Sequence, residues 1–261
     1  MCLILIANRV HPDFPLIIAA NRDEYFSRPT QPARFWASAS DVLAGQDLVG
    51  GGTWMGITLE GRFAAVTNVR NPNKLPPANA LSRGQLISTY LVSKLTPQDF
   101  LRLQAHRAAQ FDGYNLVCGD RHGLYYDSNR NPGTQRLQPG IHGLSNAGLN
   151  SPWPKVDQGK LALEQCIEQE NFCSDRLLDV LNDRHRAPDH LLPDTGVGTE
   201  MERMLSSRFI EGQTLGYGTR TSTALTVSRS GQVAFIEWTW DQEGVLQDKV
   251  EYQFNAQAQQ H

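Results

Sequence analysis

The second residue of the chain is cysteine, directly after an initiator methionine. A small side chain there permits removal of the methionine, leaving one residue with both a thiol and a free α-amine. An α-amine titrates near about 7.7–8.0, so part of it is neutral close to neutral pH. It can then take the thiol proton, directly or through water, and serve as the base for its own nucleophile. The plain alternative is a half-buried cysteine that begins a strand. A thiolate needs cationic surroundings, and acyl transfer needs donors aimed at a developing oxyanion. Asn21-Arg22-Asp23-Glu24 closes the second apolar run. Asp23 is placed to orient the α-ammonium and Arg22 to lower the thiol pKa, unless these residues simply mark the strand's exit into water. Asn68 ends another apolar run and is a candidate oxyanion donor; otherwise it is a turn former before Asn71-Pro72.

Other chemistries find less support. The run Gly50-Gly51-Gly52 lacks the Lys-Ser/Thr ending of a phosphate loop and does not open a helix. It is either a turn or a wall of a cleft that ligand can approach closely. Trp54 beside it belongs to core or cleft wall. The seven histidines show no HxxxH or HxH spacing and the four cysteines no CxxC pair, so no metal site is expected. Ser206-Ser207 lacks the G-x-S-x-G setting of a serine nucleophile.

The elements that must hold these groups follow from hydropathy. Residues 2–7 and 15–20 are short, aliphatic and without polar alternation, so both faces of both strands are covered. They form a hairpin within a central sheet. Residues 27–52 read as irregular. Residues 53–58 and 62–68 form a hairpin across Glu60-Gly61, and 71–79 a polar loop. Ser82 caps a helix running to about 95; Thr96-Pro97 starts another running to about 110. Strands return at 114–118 and 123–127, helices at 153–169 and 175–182, and strands at 222–227, 233–239 and 250–254. The expectation is one α+β domain over 1–254, with a frayed tail at 255–261.

With 261 residues, 40% of them hydrophobic and 20% charged, the composition is that of an ordinary globular chain. The net charge of −3 gives no basic footprint for nucleic acid. Runs such as 3–7 and 16–20 are too short for a transmembrane segment, and the first residues lack leader features. A cytoplasmic protein with free thiols is expected.

Asn21-Arg22-Asp23-Glu24 also resembles the signature of the NRDE family, whose animal members are the transport and Golgi organisation protein two family. The resemblance extends in order through Met1-Cys2, the blocks at 51–56, 65–70 and 143–146, Pro152-Trp153-Pro154-Lys155, and the block at 217–223. That family is similar to the N-terminal nucleophile hydrolases, especially the cholylglycine hydrolase and acyltransferase branch. The resemblance implies a four-layer αββα sandwich of two mostly antiparallel sheets with outer helices. It implies Cys2 as nucleophile, Asp23 as holder of the amine, and Asn68 and Asn146 as oxyanion donors, with Asn150 a rival to Asn146. The branch carries Arg-Asn-x-Asp where this chain has Ala20-Asn21-Arg22-Asp23. Arg22 is then the substitute cation, with strand alternation turning it to the opposite face. Arg208 resembles a late site arginine and Arg220 is its rival. Asn21, Trp54, Asn150 and Arg220 are assigned to substrate binding. The implied function is an N-terminal-cysteine hydrolase or acyltransferase on a small amide, ester or acyl thioester, with no cofactor required. The alternative is a non-catalytic carrier of haem or of a lipid or acyl chain, in keeping with the family's links to haem trafficking and lipid metabolism.

Overall fold

The computed structural model describes residues 2–212 and 215–256. The two opening runs form β1 (Cys2–Asn8) and β2 (Leu16–Tyr25), followed by β3 (Thr30–Trp36), β4 (Ala39–Asp47), β5 (Met55–Thr58) and β6 (Phe63–Asn68). Next come α1 (Gly84–Val92), α2 (Pro97–Ala105), β7 (Tyr114–Asp120), β8 (Gly123–Ser128), β9 (Gln135–Arg136) and β10 (Gly140–Leu144). Three helices, α3 (Pro154–Ile167), α4 (Arg176–Leu181) and α5 (Thr199–Met204), precede β11 (Tyr217–Val227), β12 (Gln232–Trp240) and β13 (Leu246–Asn255).

The strands form two sheets with antiparallel pairing between neighbours. One has six strands in the order β10-β1-β2-β11-β12-β13; the other has seven, β3 through β9 in sequence. Strand alternation assigns the layers. Ile4, Ile6, Ile18 and Ala20 face the second sheet and pack on Leu43, Met55, Ile57 and Ala65. Leu3, Leu5, Ala7, Ile17 and Ala19 face outward onto Val156 and Leu163 of α3 and Leu177 and Leu181 of α4. On the far side, Leu86, Ile87 and Tyr90 of α1 and Phe100 and Leu101 of α2 cover β4 to β8. The result is the expected αββα sandwich. Helix α3 can lie close on β1 because Gly159 has no side chain there; a Cβ would come within 2.9 Å of Leu5. Among the described residues no helix is long and apolar enough to cross a membrane.

Several local expectations are corrected. Residues 27–52 contain β3 and β4. Their strand character was hidden by Pro32 and the polar residues of β3, which are tolerated because β3 is an edge strand. Residues 140–144 pair with β1 as β10, and 199–204 form α5. Strand β11 starts at Tyr217, earlier than expected, because β2 continues to Tyr25 and pairs with it through a register shift between Thr219 and Thr221. Thr96 caps α2 as expected, accepting from the Asp99 N–H. Ser82 does not cap α1 with its side chain; its carbonyl accepts from Gln85 N–H. Asn255 completes β13 rather than fraying, while 257–261 of the expected tail lie outside the described residues.

One buried carboxylate joins the two sheets. Glu237 on β12 accepts from the Ala33 N–H of β3 at 2.8 Å and from the Thr223 hydroxyl at 3.4 Å. Burial pushes its carboxyl up to about 7, against the opposing effect of those hydrogen bonds and of Arg22. The native state therefore holds this proton at pH values where the unfolded chain has released it, and stability falls as pH rises from the ordinary carboxylate range towards 7. Glu237→Gln should gain roughly 2–3 kcal/mol over the parent at pH 8 and little at pH 4.5, read by urea unfolding. An equal gain at both pH values would contradict this account.

Candidate active site

Cys2 opens β1 directly opposite Arg22 of β2, and opposed residues in an antiparallel pair project to one side. Arg22 is two residues from Ala20, so it shares that residue's face rather than taking the opposite one, which corrects the expectation. Cys2, Ala20, Arg22 and Trp54 line one narrow space between the sheets. The Arg22 guanidinium stacks 4.4 Å from the centroid of Trp54 and lies 3.8 Å from the Glu24 carboxylate. Its Nη1 is buried and has no hydrogen-bond partner among the described residues. The space opens into a cleft of about 400 Å³ lined by Cys2, Arg22, Asp23, Trp54 and Asn68. Its rim carries Arg28 paired with Asp47 at 2.9 Å and Arg83 paired with Asp112 at 3.2 Å. Gly50 lines the cleft. Gly52 has φ +99° and lets the loop meet the start of α1, where a Cβ would lie 2.6 Å from Gly84. The glycine run is thus both turn and cleft wall.

The two asparagines meet, with unequal parts. Asn146 follows β10, and its Nδ2 donates to the Asn68 carbonyl at 2.9 Å and to Asn68 Oδ1 at 3.1 Å. Asn146 lines a neighbouring cavity with Arg70 and Trp153 and not the cleft itself. With Oδ1 turned to Asn146, Asn68 has its Nδ2 left for the cleft that it lines. Ser145 ties the same loop to β1: its hydroxyl donates to the Cys2 carbonyl at 3.0 Å, and its own carbonyl accepts from Thr67 Oγ1 at 2.6 Å.

On the helix-facing side, a cluster of charges lies under the start of β1. Asp23 is buried; the Thr219 hydroxyl donates to its Oδ1 at 2.8 Å and the Tyr217 hydroxyl to its carbonyl at 3.0 Å. Burial pushes the Asp23 carboxyl up, opposed by Lys155, Thr219 and Arg22. Burial likewise raises the Cys2 thiol, with the Asp23 charge adding to it; Arg22 and the Asp23 backbone N–H, which donates to the sulfur, oppose the rise. Arg70 and Glu202 form an ion pair at 2.5 Å, with side chains only 5% and 3% exposed. Arg70 also sits 4.9 Å over the Trp153 ring. Lys155, Arg70 and Glu202 were not singled out from the sequence. Lys155 did leave a signal: it is a cation in the first turn of α3, where the helix dipole disfavours positive charge.

Four expected residues serve the scaffold around the site. Arg208 lies away from the cleft, paired with Asp183 at 2.6 Å and donating to the Gln158 carbonyl. Asn21 faces the helices: its Nδ2 donates to the carbonyls of Leu181 and Arg208, and its Oδ1 accepts from Ser222. Asn150 closes the loop after β10, accepting from Gly143 N–H at 2.9 Å. Arg220 donates to the carbonyls of Tyr25 and Arg28 and so fixes the turn that carries Arg28 to the rim. Of the candidate arginines, Arg22 is therefore the one beside the thiol. Replacing it should raise the pH midpoint for iodoacetamide alkylation of Cys2, read by mass spectrometry, by about one pH unit in Arg22→Gln. Arg208→Gln should leave it in place. The reverse pattern would remove Arg22 as the site cation.

Comparison with known proteins agrees with this architecture. The family model described as Transport and Golgi organisation 2 matches residues 1–242. The chain is 34% identical over 257 residues to the Transport and Golgi organization protein 2 homolog of Homo sapiens, covering 91% of this chain and 92% of that one. It is 29% identical over 266 residues to Transport and Golgi organization protein 2 of Drosophila melanogaster, covering 92% of each. Among solved structures, it is similar to the Caenorhabditis elegans ortholog of N-acylethanolamine-hydrolyzing acid amidase, with a TM-score of 0.52 at 11% identity over 86% of this chain and 92% of that one. It is also similar to a mutant conjugated bile acid hydrolase from Clostridium perfringens, with a TM-score of 0.50 at 8% identity over 100% and 99% of the chains. At such identities the structural likeness concerns the fold, that of the N-terminal nucleophile hydrolases. On this fold, and by sequence along nearly its whole length, the chain belongs to the Transport and Golgi organisation 2 family.

Proposed function

We propose that the protein, with Met1 removed, is an N-terminal-cysteine hydrolase or acyltransferase acting on a small amide, ester or acyl thioester in the cytoplasm. The observation that carries this reading is the convergence of Cys2, Arg22, Asp23 and Asn68 from the ends of three strands on one cleft. The thiol gives its proton to the α-amine, which Asp23 holds. The thiolate attacks the acyl carbon, and the carbonyl oxygen takes the electron pair and is met by Asn68 Nδ2, oriented by Asn146. As the tetrahedral adduct collapses, the bond to the leaving group breaks and that group takes the proton from the α-ammonium. Water, or an acceptor nucleophile, then attacks the thioester with the amine again as base and restores the thiol. Arg22 on Trp54 supplies the positive charge beside the sulfur. The ion pairs at the rim suit a substrate with polar groups as well as an acyl chain.

The alternative is a carrier that holds haem, or a lipid or acyl chain, in the same cleft without bond cleavage. None of the described lining residues is a histidine, so Cys2 would be the soft ligand for haem iron there. The test is a screen of amides, esters and acyl thioesters on protein shown by mass spectrometry to lack Met1, run beside a haem titration. Cys2→Ala should abolish turnover, and Asn68→Ala should lower kcat by about a hundredfold or more while leaving substrate binding largely intact. Stoichiometric haem binding with no turnover of any acyl compound would replace the enzyme with the carrier, and loss of that binding in Cys2→Ala would assign the thiol as the iron ligand.

A further inference from the structure

Arg22 is 5% exposed, and its Nη1 is buried with no hydrogen-bond partner among the described residues, the Cys2 sulfur included. The carboxylate paired with it, Glu24, lies 3.8 Å from Nη2, beyond hydrogen-bond distance, and is shared with Arg28 at the same 3.8 Å. Trp54, 4.4 Å from the guanidinium, offers a ring face and no acceptor. A buried charged donor left without an acceptor is costly, more so than a neutral one. Thr221, opposite Arg22 on β11, also keeps its hydroxyl unpaired among the described residues, but it lines neither the cleft nor the narrow space beside Cys2. Arg22 lines both, so a ligand at the thiol meets its guanidinium.

The two spaces differ in kind. The narrow one lies between the sheets, walled by Ile4, Ala20, Met55 and Val66, and holds about 10 Å³, room for one water-sized group. The cleft holds about 400 Å³ and reaches the ion pairs of the rim. In the proposed mechanism an acyl carbon at the Cys2 sulfur turns its oxygen to Asn68 and carries two further substituents. The leaving group must depart and be replaced by water or an acceptor, so it takes the open cleft. The acyl substituent takes the enclosed side, where it finds little room and a buried N–H. We propose that Arg22 is a specificity-determining residue that donates to an oxygen on the α-carbon of a short acyl group, so that the protein selects 2-hydroxyacyl or 2-oxoacyl substrates over plain alkyl and long-chain ones. This rests on the proposed N-terminal-cysteine chemistry and names its acyl side. An alkyl group of the same size would shield Arg22 from water and give no hydrogen bond in return, whereas an oxygen there satisfies the donor. A chain of more than a few atoms exceeds the enclosed space.

The experiment uses glycolyl, pyruvoyl, propionyl and octanoyl groups, each as the N-acetylcysteamine thioester, the phenyl ester and the anilide, on protein shown by mass spectrometry to lack Met1. Propionyl differs from glycolyl by a methyl group in place of the hydroxyl, and pyruvoyl is the 2-oxo arm. With a common leaving group, kcat/KM for glycolyl or pyruvoyl should exceed that for propionyl by about a hundredfold or more, with octanoyl lower still. In Arg22→Met the ratio should collapse towards one. Loss of the cation beside the thiol slows every compound alike, so the ratio and not the rate reports the contact. A ratio that Arg22→Met leaves unchanged overturns the part of Arg22. If that variant does not fold, the wild-type ratios still test the selectivity. Turnover without preference for the oxygenated groups, or with octanoyl preferred, overturns the selectivity alone. No turnover of these or of any compound in the wider acyl screen overturns the proposed function and the selectivity with it.

Discussion

Burial of β1 on both faces is the constraint from which the rest of the molecule follows. Leu3 to Ala7 are each 3% exposed or less. A strand buried in this way must have a paired neighbour on each edge and a packed layer on each face. Strands β2 and β10 supply the edges; α3, α4 and the second sheet supply the faces. The beginning of the chain is therefore held at the centre of the protein by apolar contacts that have no part in chemistry. Cys2 inherits a fixed position from the five residues after it.

That position places one residue between two electrostatic environments. The Cys2 side chain follows Ile4 and Ile6 towards the sheet–sheet layer, where Arg22, Trp54 and the cleft lie. Asp23, one residue beyond Arg22, alternates to the helix side, where Lys155, Arg70 and Glu202 are buried. The backbone of Cys2 lies in the plane of the sheet between them. The Cys2 thiol thus feels both sides, Asp23 from the helix layer raising it and Arg22 from the cleft opposing that rise.

The loop after β10 couples the sheets at this point. Ser145 bonds to the Cys2 carbonyl and Asn146 to Asn68, so the strands that carry Cys2 and Asn68 share one short connection. Thr67 and Asn115 hold the same loop from the second sheet, donating to the carbonyls of Ser145 and Ala147. The distance between Cys2 and Asn68 is accordingly fixed by hydrogen bonds between backbone and short polar side chains, which change little in length.

The sequence by itself determined the two opening strands, the hairpin ending at Asn68 and the helices α2 to α4, because unbroken aliphatic runs and helical spacing are local signals. It also marked Cys2, Arg22, Asp23 and Asn68, since unusual polar residues at the ends of apolar strands stand out without any knowledge of the fold, whereas Asn146 was marked only by the family resemblance. It hid β3 and β10, whose pairing depends on sheet neighbours far along the chain and not on their own composition. Only the tertiary structure decided which arginine reaches the thiol. Arg22, Arg208 and Arg220 are alike in sequence, but the register of β1 on β2 sets Arg22 opposite Cys2, while Asp183 and the carbonyls of the Tyr25–Arg28 turn hold the other two. Only the tertiary structure brought Lys155 and Glu202 to Asp23, because residues more than a hundred positions apart become neighbours when α3 and α5 fold back over the sheet. The burial that makes such charges matter is a property of the assembled layers, and no segment of the chain carries it alone.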